Sequence, residues 1–334
     1  MTPRQHDLAA AFLAAAFALP AAAQMEQTTL AVPVLSLTFS PTYIAEEKGF
    51  WKEEGLEVKL QAIPGVQATN AVLAGSVDFT NTASSAFLRA NARGQKVVAI
   101  ANTLEKVQVE IVISKAFLDK KGFDANAPVE KRTALLKGAK IAIDAPNSIT
   151  HGYVKYAAKK GGLDPERDVT VSPMAPPAML AAIRSGQVDG LSMSRPWPSI
   201  LRKEGVTLTV ASTPLGDFPE LNPFNYNLII TKPGFCESKP SVCRKLINGF
   251  KKALAFMHDK PEETAAILRK KFDKTDPALV DDALKAVIEG TPRSPVVKEE
   301  GFTSAQNYML SAGIMRPEEK LASFAGLYTN EYAK

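Results

Sequence analysis

Asn147-Ser148-Ile149-Thr150-His151 puts an amide, two hydroxyls and an imidazole within five residues at the start of a helix-forming run. Unpaired N–H groups and the helix dipole attract anions at such a point. Ser148, Thr150 and the amides after Asn147 would serve a ligand or cap their own helix, and a cap residue can do both. Asn81, Thr82, Ser84 and Ser85 offer the same chemistry around the run from Ala83 to Arg93. Arg195 would either clamp a carboxylate or sulfonate with its planar fork or pair with an acid across a closed cleft. A helix N-terminus lowers an imidazole's proton affinity, so His151 is expected to be a neutral hydrogen-bonding or packing group, not a metal ligand or catalytic base. Phe39, Tyr43, Trp197, Phe224 and Tyr226 would stack on a flat ligand ring or belong to the core.

With 334 residues, 46% hydrophobic and 22% charged, the chain excludes disorder and fibrous architectures. The net charge of +5 fits an anionic ligand or a solvated basic surface. Acids interrupt the basic residues, as in Glu46-Glu47-Lys48 and Lys298-Glu299-Glu300, so no basic face forms and nucleic acid is not an expected partner. Residues 1–23 combine a polar start containing Arg4, an apolar run from Leu8 to Leu19 and Ala21-Ala22-Ala23 before Gln24. That is the pattern of a cleaved signal peptide, and the run of about a dozen apolar residues is shorter than the roughly 20 of a membrane span. A soluble, periplasmic protein is expected. In that oxidising compartment Cys236 and Cys243, seven positions apart, predict a local disulfide of about 2 kcal/mol. Apart from His6, only His151 and His258 stand beside these two cysteines, so neither a metal site nor a cofactor is expected.

The elements that must position these groups alternate. Thr28 to Val34 reads as a strand, Pro41 to Lys48 as a helix, Leu56 to Leu60 as a strand and Val66 to Ala74 as a helix. Val77 to Thr80, Ala83 to Arg93 and Val97 to Ala101 continue the order, which predicts an α/β fold with mostly parallel sheets flanked by helices. From Lys140 the order repeats. Ala71-Val72-Leu73-Ala74-Gly75-Ser76-Val77-Asp78 matches Ala182-Ile183-Arg184-Ser185-Gly186-Gln187-Val188-Asp189 at a spacing of 111, and Gly55-Leu56 matches Gly162-Leu163 at 107. Two similar lobes are therefore expected. Ligands in open α/β sheets bind beyond the carboxyl ends of the strands, so loops after equivalent strands should face one cleft. This adds Ser36, Phe39 and Ser40, then Gly65, Pro176, Trp197, Asn225 and Tyr226 to the candidate ligand-binding residues. Amphipathic runs at Val242 to His258, Pro261 to Phe272 and Pro277 to Glu289 predict a helical C-terminal region.

Ser40-Pro41-Thr42-Tyr43-Ile44-Ala45-Glu46-Glu47-Lys48-Gly49-Phe50-Trp51-Lys52-Glu53-Glu54-Gly55-Leu56-Glu57-Val58 resembles the opening of the solute-binding proteins of nitrate, sulfonate, taurine and thiamine-pyrimidine-precursor ABC importers. Gly75-Ser76-Val77-Asp78-Phe79, Ser148-Ile149-Thr150-His151 with Gly162-Leu163-Asp164-Pro165, and Gln187-Val188-Asp189-Gly190 before Arg195-Pro196-Trp197 extend the resemblance over most of Leu30 to Trp197. It implies a type 2 periplasmic binding protein with a ligand trapped between lobes by hinge closure. The implied division is a signal peptide at 1–23, a first lobe at 24–113, a second at 114–224 and a return to the first at 225–334. Phe50 and Trp51 are then packing residues away from the cleft. The implied ligand is a small anionic or planar solute such as a sulfonate, nitrate, a carboxylate or a pyrimidine. The implied partners are an ABC permease and its ATPase, and the chain is expected to be a monomer. Arg195 stands where the family usually has Glu, and Ile149 and Thr150 where sulfonate binders often have smaller residues, which blocks transfer of a particular ligand. Two other classes are compatible with the resemblance, a desulfinase or pyrimidine-synthesis enzyme on the same fold and a ligand sensor for a membrane kinase.

Overall fold

A computed structural model describes residues 25–64 and 67–334. In chain order the strands are β1 (Glu26–Val32), β2 (Leu56–Ala62), β3 (Phe79–Ala83), β4 (Val98–Leu104), β5 (Glu110–Ser114), β6 (Lys140–Ile143), β7 (Thr170–Pro173), β8 (Gly190–Met193), β9 (Thr207–Ser212) and β10 (Asn227–Thr231). They build two five-stranded sheets, ordered β2-β1-β3-β10-β4 and β7-β6-β8-β5-β9. In the first, β1 runs parallel to β2 and β3 while β10 is antiparallel to β3 and β4. In the second, β6 runs parallel to β7 and β8 while β5 is antiparallel to β8 and β9. Each sheet thus receives its antiparallel strand from a chain that has just left the other sheet.

That exchange moves one expected boundary. β5 pairs with β8 and β9 of the second sheet, so the first crossover falls at 105–109 and not at 113/114. The return crossover runs from β9 in the second sheet to β10 in the first.

The repeat is borne out in hydrogen bonds. Asp78 Oδ2 accepts the Thr29 N–H at 3.0 Å and Asp189 Oδ2 accepts the Lys140 N–H at 2.7 Å, each across 49 residues. The sheet registers carry the same offset of 111, since Leu30 faces Phe79 as Ile141 faces Gly190. The helices Gln67–Ala74 and Pro176–Arg184 both end at a left-handed glycine, Gly75 at φ 75° and Gly186 at φ 73°, a conformation a Cβ would strain. Gly162 comes four residues early in this frame, and the turn from Asp164 to Asp168 makes up the difference before β7.

The C-terminal region is helical as expected, with Pro240–Asp259, Pro261–Lys271 and Pro277–Gly290, and a further helix, Glu299–Ala312, packs on the helix Ile149–Lys160. Cys236 and Cys243 form a disulfide that ties the short helix Phe235–Ser238 to the first of these. The chain end then covers the open edge of β4, where Ala99 bonds to Leu327 and Thr329. Among the described residues no helix is long and apolar enough to cross a membrane.

Glu319 pins this last segment. It accepts the Arg316 N–H at 2.9 Å and pairs with Arg93 Nε at 3.0 Å, which together hold its carboxyl down at about 2. A carboxyl depressed in the fold contributes stability above its unfolded value near 4.3, and that contribution fades as pH falls toward 2. Arg93 is 55% exposed, so solvent screens part of the effect. Glu319→Gln should therefore cost about 1–2 kcal/mol at pH 7 and almost nothing near pH 2, as read by urea unfolding at both pH values. An equal loss at both would show that the charge is irrelevant.

Candidate functional site

The carboxyl ends of β1 and β6, positions related by the repeat, face each other across the two lobes. Between them lies a cavity of about 60 Å³, several times what one water needs. The first lobe supplies Pro33, Val34, Ser36, Thr38 and Phe39 after β1, and Thr82, Ala83, Ser85 and Ala86 where β3 turns into the helix Ser84–Ala92. Tyr226 and Asn227 enter from the return crossover. The second lobe supplies Asp144, Ser148, Ile149 and Thr150 after β6, with Met193 and Ser194 after β8.

Two helices of opposite lobes start at this cavity. In the helix Ile149–Lys160, Ser148 is the N-cap and its Oγ accepts the His151 N–H at 3.2 Å. The Ile149 and Thr150 N–H groups precede that bond and belong to the donors a helix cannot pair internally. Asn147 reaches the cap through a left-handed turn at φ 59°, which Asn tolerates. The helix Ser84–Ala92 has no side-chain cap; its Ser84 N–H donates to the Tyr226 carbonyl at 3.1 Å, and Ser85 and Ala86 follow at the cavity wall.

Around the start of the helix Ile149–Lys160 a network converges on Asp144. Its Oδ1 accepts the Ser148 hydroxyl at 2.6 Å and the Thr150 hydroxyl, while the two hydroxyls lie 2.9 Å apart. Among the described residues Asp144 is the one charged side chain lining the cavity. His151 faces the other way: its Nδ1 accepts the Asn147 N–H at 2.8 Å. Burial, and then nearby Lys155, lowers its proton affinity, so the ring is neutral with its proton on Nε2. Burial likewise pushes the Tyr226 phenol far up, leaving it un-ionised.

The lobes touch over the cavity. Ser36 Oγ lies 2.7 Å from Ser194 Oγ, Arg89 Nη1 donates to the Asn147 carbonyl at 2.8 Å, and Trp197 Nε1 donates to the Leu35 carbonyl at 3.4 Å.

Of the residues nominated from sequence, Ser36, Phe39, Thr82, Ser85, Ser148, Thr150 and Tyr226 come together on the cavity. The others sit elsewhere. Arg195 takes the acid-pairing alternative, with its Nε on Glu110 and its Nη1 3.1 Å from Asp282 of the first lobe. Ser40 is buried and donates to the Leu37 carbonyl, and Asn81 spends its amide on Thr42 at 3.0 Å behind the cavity. Ser84 is buried at the helix start, one residue short of the wall. Asn147 and His151 hold the loop, and Pro176 opens the helix Pro176–Arg184 away from the lining. Trp197 closes the rim between lobes. Asn225 is buried against Asn102 and the Lys298 carbonyl, while two residues on Asn227 lines the cavity and donates to the Thr38 carbonyl at 2.8 Å. Gly65 lies outside the described residues.

Asn227 and Asp144 are polar lining residues that the sequence pattern did not bring out, and Asp144 is the charged one. Counting back 111 from Asp144 gives Pro33, which the sequence pattern puts inside the strand Thr28 to Val34; only the structure ends β1 at Val32 and makes both positions loop residues.

The comparisons with known proteins agree with this arrangement. Over 307 residues the chain is 26% identical to the putative binding protein YtlA of Bacillus subtilis, covering 89% of this chain and 87% of that one. It is 25% identical over 214 residues to the nitrate/nitrite binding protein NrtA of Synechocystis, where the match spans 56% of this chain and 45%, under half, of that relative. Among solved structures, one from Bordetella bronchiseptica superposes with a TM-score of 0.76 at 26% identity, over 93% of this chain and 96% of that one. The alkanesulfonate-binding protein SsuA of Xanthomonas axonopodis, bound to MOPS, gives 0.68 at 19% identity over 89% and 96%, a likeness of fold. A DszB mutant in complex with biphenyl-2-sulfinic acid shares that fold at a TM-score of 0.65 and 13% identity, over 92% and 98%. The profile of the NMT1-like family matches residues 23–269, nearly three quarters of the sequence, and the chain therefore belongs to the NMT1-like family.

Proposed function

We propose that this protein is the periplasmic solute-binding component of an ABC-type import system, which traps a small solute between its lobes and hands it to a permease with its ATPase. The observation that carries the reading is the cavity itself: both lobes contribute a helix N-terminus to one space between them, and Ser36 and Ser194 bond across it. Backbone donors fixed by two helices bind the acceptor or anionic end of a solute without reorganising, and hinge closure excludes water around it. The nitrate/nitrite binding of NrtA and the alkanesulfonate binding of SsuA support a small oxyanion-bearing or planar solute. Export by a cleaved leader and a monomeric state complete the proposal.

The enzyme alternative has one point in its favour, the fold shared with DszB. Against it, both cysteines are joined in a disulfide outside the cavity, and His151 Nδ1 is occupied by a backbone N–H, so neither is placed as an activated nucleophile or base.

Protein recovered from a periplasm should carry a stoichiometric small-molecule adduct in native mass spectrometry. Its true ligand, at about a hundred times its dissociation constant, should stabilise the fold by about 2.7 kcal/mol in a thermal-shift assay. A compound consumed over time would replace transport by catalysis.

A further inference from the structure

We infer that Asp144 makes this cavity select solutes that carry a cationic or N–H donor group beside their anionic or acceptor end, and reject plain monoanions. The inference rests on the solute-binding reading above and names the substrate class for the same site.

The polarity of the lining is the ground for it. Among the described residues no Lys, Arg or His lines the cavity, and every lining side chain except Asp144 is neutral. Two buried cations sit on the helices that start at the cavity, and neither reaches Asp144: Arg89 donates to the Asn147 carbonyl and Lys155 pairs with Glu166. Asp144 therefore has no side-chain counter-ion in direct contact among the described residues, and an incoming negative charge would meet its carboxylate unpaired.

The hydroxyls beside it do not help an anion either. The Thr150 proton is directed at Asp144 Oδ1, and Ser148 donates to Asp144 or to Thr150 while accepting from His151. Both hydroxyls thus turn lone pairs to the cavity. Asp144 Oδ2 has no protein donor among the described residues, so it is an open acceptor on the wall. The donors available to a ligand are the backbone N–H groups at the two helix starts, Ile149 and Thr150 on one side, Ser85 and Ala86 on the other, together with the Thr82, Ser85 and Tyr226 hydroxyls of the first-lobe wall. One small space holds a fixed donor set and an unbalanced carboxylate, and the complementary molecule is bipolar.

Calorimetry on matched pairs tests this: 2-aminoethanesulfonate against ethanesulfonate, 3-aminopropanoate against propanoate, and 4-aminopyrimidine against pyrimidine, with nitrate as a bare monoanion. The aminated member of at least one pair should bind at least tenfold more tightly than its partner, and Asp144→Asn should remove about tenfold of its affinity and narrow that gap. Thr150→Val, which perturbs the same network but keeps the carboxylate, should preserve the preference. Nitrate or the unaminated members binding as tightly as the aminated ones overturns the inference. If that binding is abolished by Ala86→Trp, which fills the cavity, the solute-binding reading survives. Failure of all seven compounds to bind also overturns the inference. The reading itself is then decided by whether protein recovered from a periplasm holds an adduct that Ala86→Trp lacks.

Discussion

Glu110→Ala is expected to destabilise the protein by about 3–5 kcal/mol, the cost of removing one partner from a buried ionic group. Glu110 is the first residue of β5 and is fully buried, with one carboxylate oxygen on Arg195 Nε and the other on Arg202 Nη1. Both arginines are themselves largely covered, at 10% and 25% exposure, so deleting the carboxylate leaves two guanidinium groups without their common counter-charge. Arg202 keeps Ser199 and Thr209 as acceptors, and Arg195 keeps Asp282, which is 58% exposed. These limit the loss without replacing a buried carboxylate. Glu110→Gln should cost less, because an amide oxygen still accepts one of the two bonds. Urea unfolding of the three proteins decides the matter, and a loss below about 1 kcal/mol for Glu110→Ala would mean that the arginines find water instead. Because the same geometry turns Arg195 away from the cavity, Arg195→Ala should leave ligand affinity nearly unchanged while lowering stability.

Glu110 also shows where sequence reading stops. The alternation of strands and helices, the offset of 111 and the paired left-handed glycines were legible because each is written in local residue types. A charged residue opening an otherwise apolar run does not announce a core strand, and nothing local says which sheet β5 joins. The answer depends on a chain crossing that only tertiary structure fixes. Arg195 illustrates the same limit. Its two acids lie 85 and 87 residues away on opposite sides in sequence, so a ligand clamp and an ion pair were equally compatible with the residue type. In the cavity, the loops were found but not always the side chains, since a two-residue step from Asn225 to Asn227 exchanges a buried amide for a lining one. Asp144 was hidden for a third reason. A lone Asp after a short strand reads as turn chemistry, and its charge matters only because no cation lines the space it shares.

Gly249→Ala should destabilise by about 3 kcal/mol, against the usual direction for a helical glycine. In the middle of an exposed helix, Gly→Ala is worth roughly 0.5–1 kcal/mol in favour of alanine. Here the helix Pro240–Asp259 presses this position onto Trp51, and an added Cβ would lie 2.1 Å from the indole Cδ1 and 2.5 Å from Nε1. The ring has little freedom to yield. It is 3% exposed, donates from Nε1 to the Leu246 carbonyl at 3.0 Å, and meets Phe250 edge-on at 5.3 Å between centroids. Moving it forfeits a buried hydrogen bond and an aromatic contact together, so overpacking and bond loss add where helix propensity alone would gain. Trp51→Leu alone should cost a comparable amount by leaving a void. In that background the added methyl has room, so Gly249→Ala should become neutral or stabilising. Denaturant curves for the four proteins of this cycle give the coupling directly. Additive losses would show that the clash is relieved by the backbone and that Trp51 is not what requires glycine at this position.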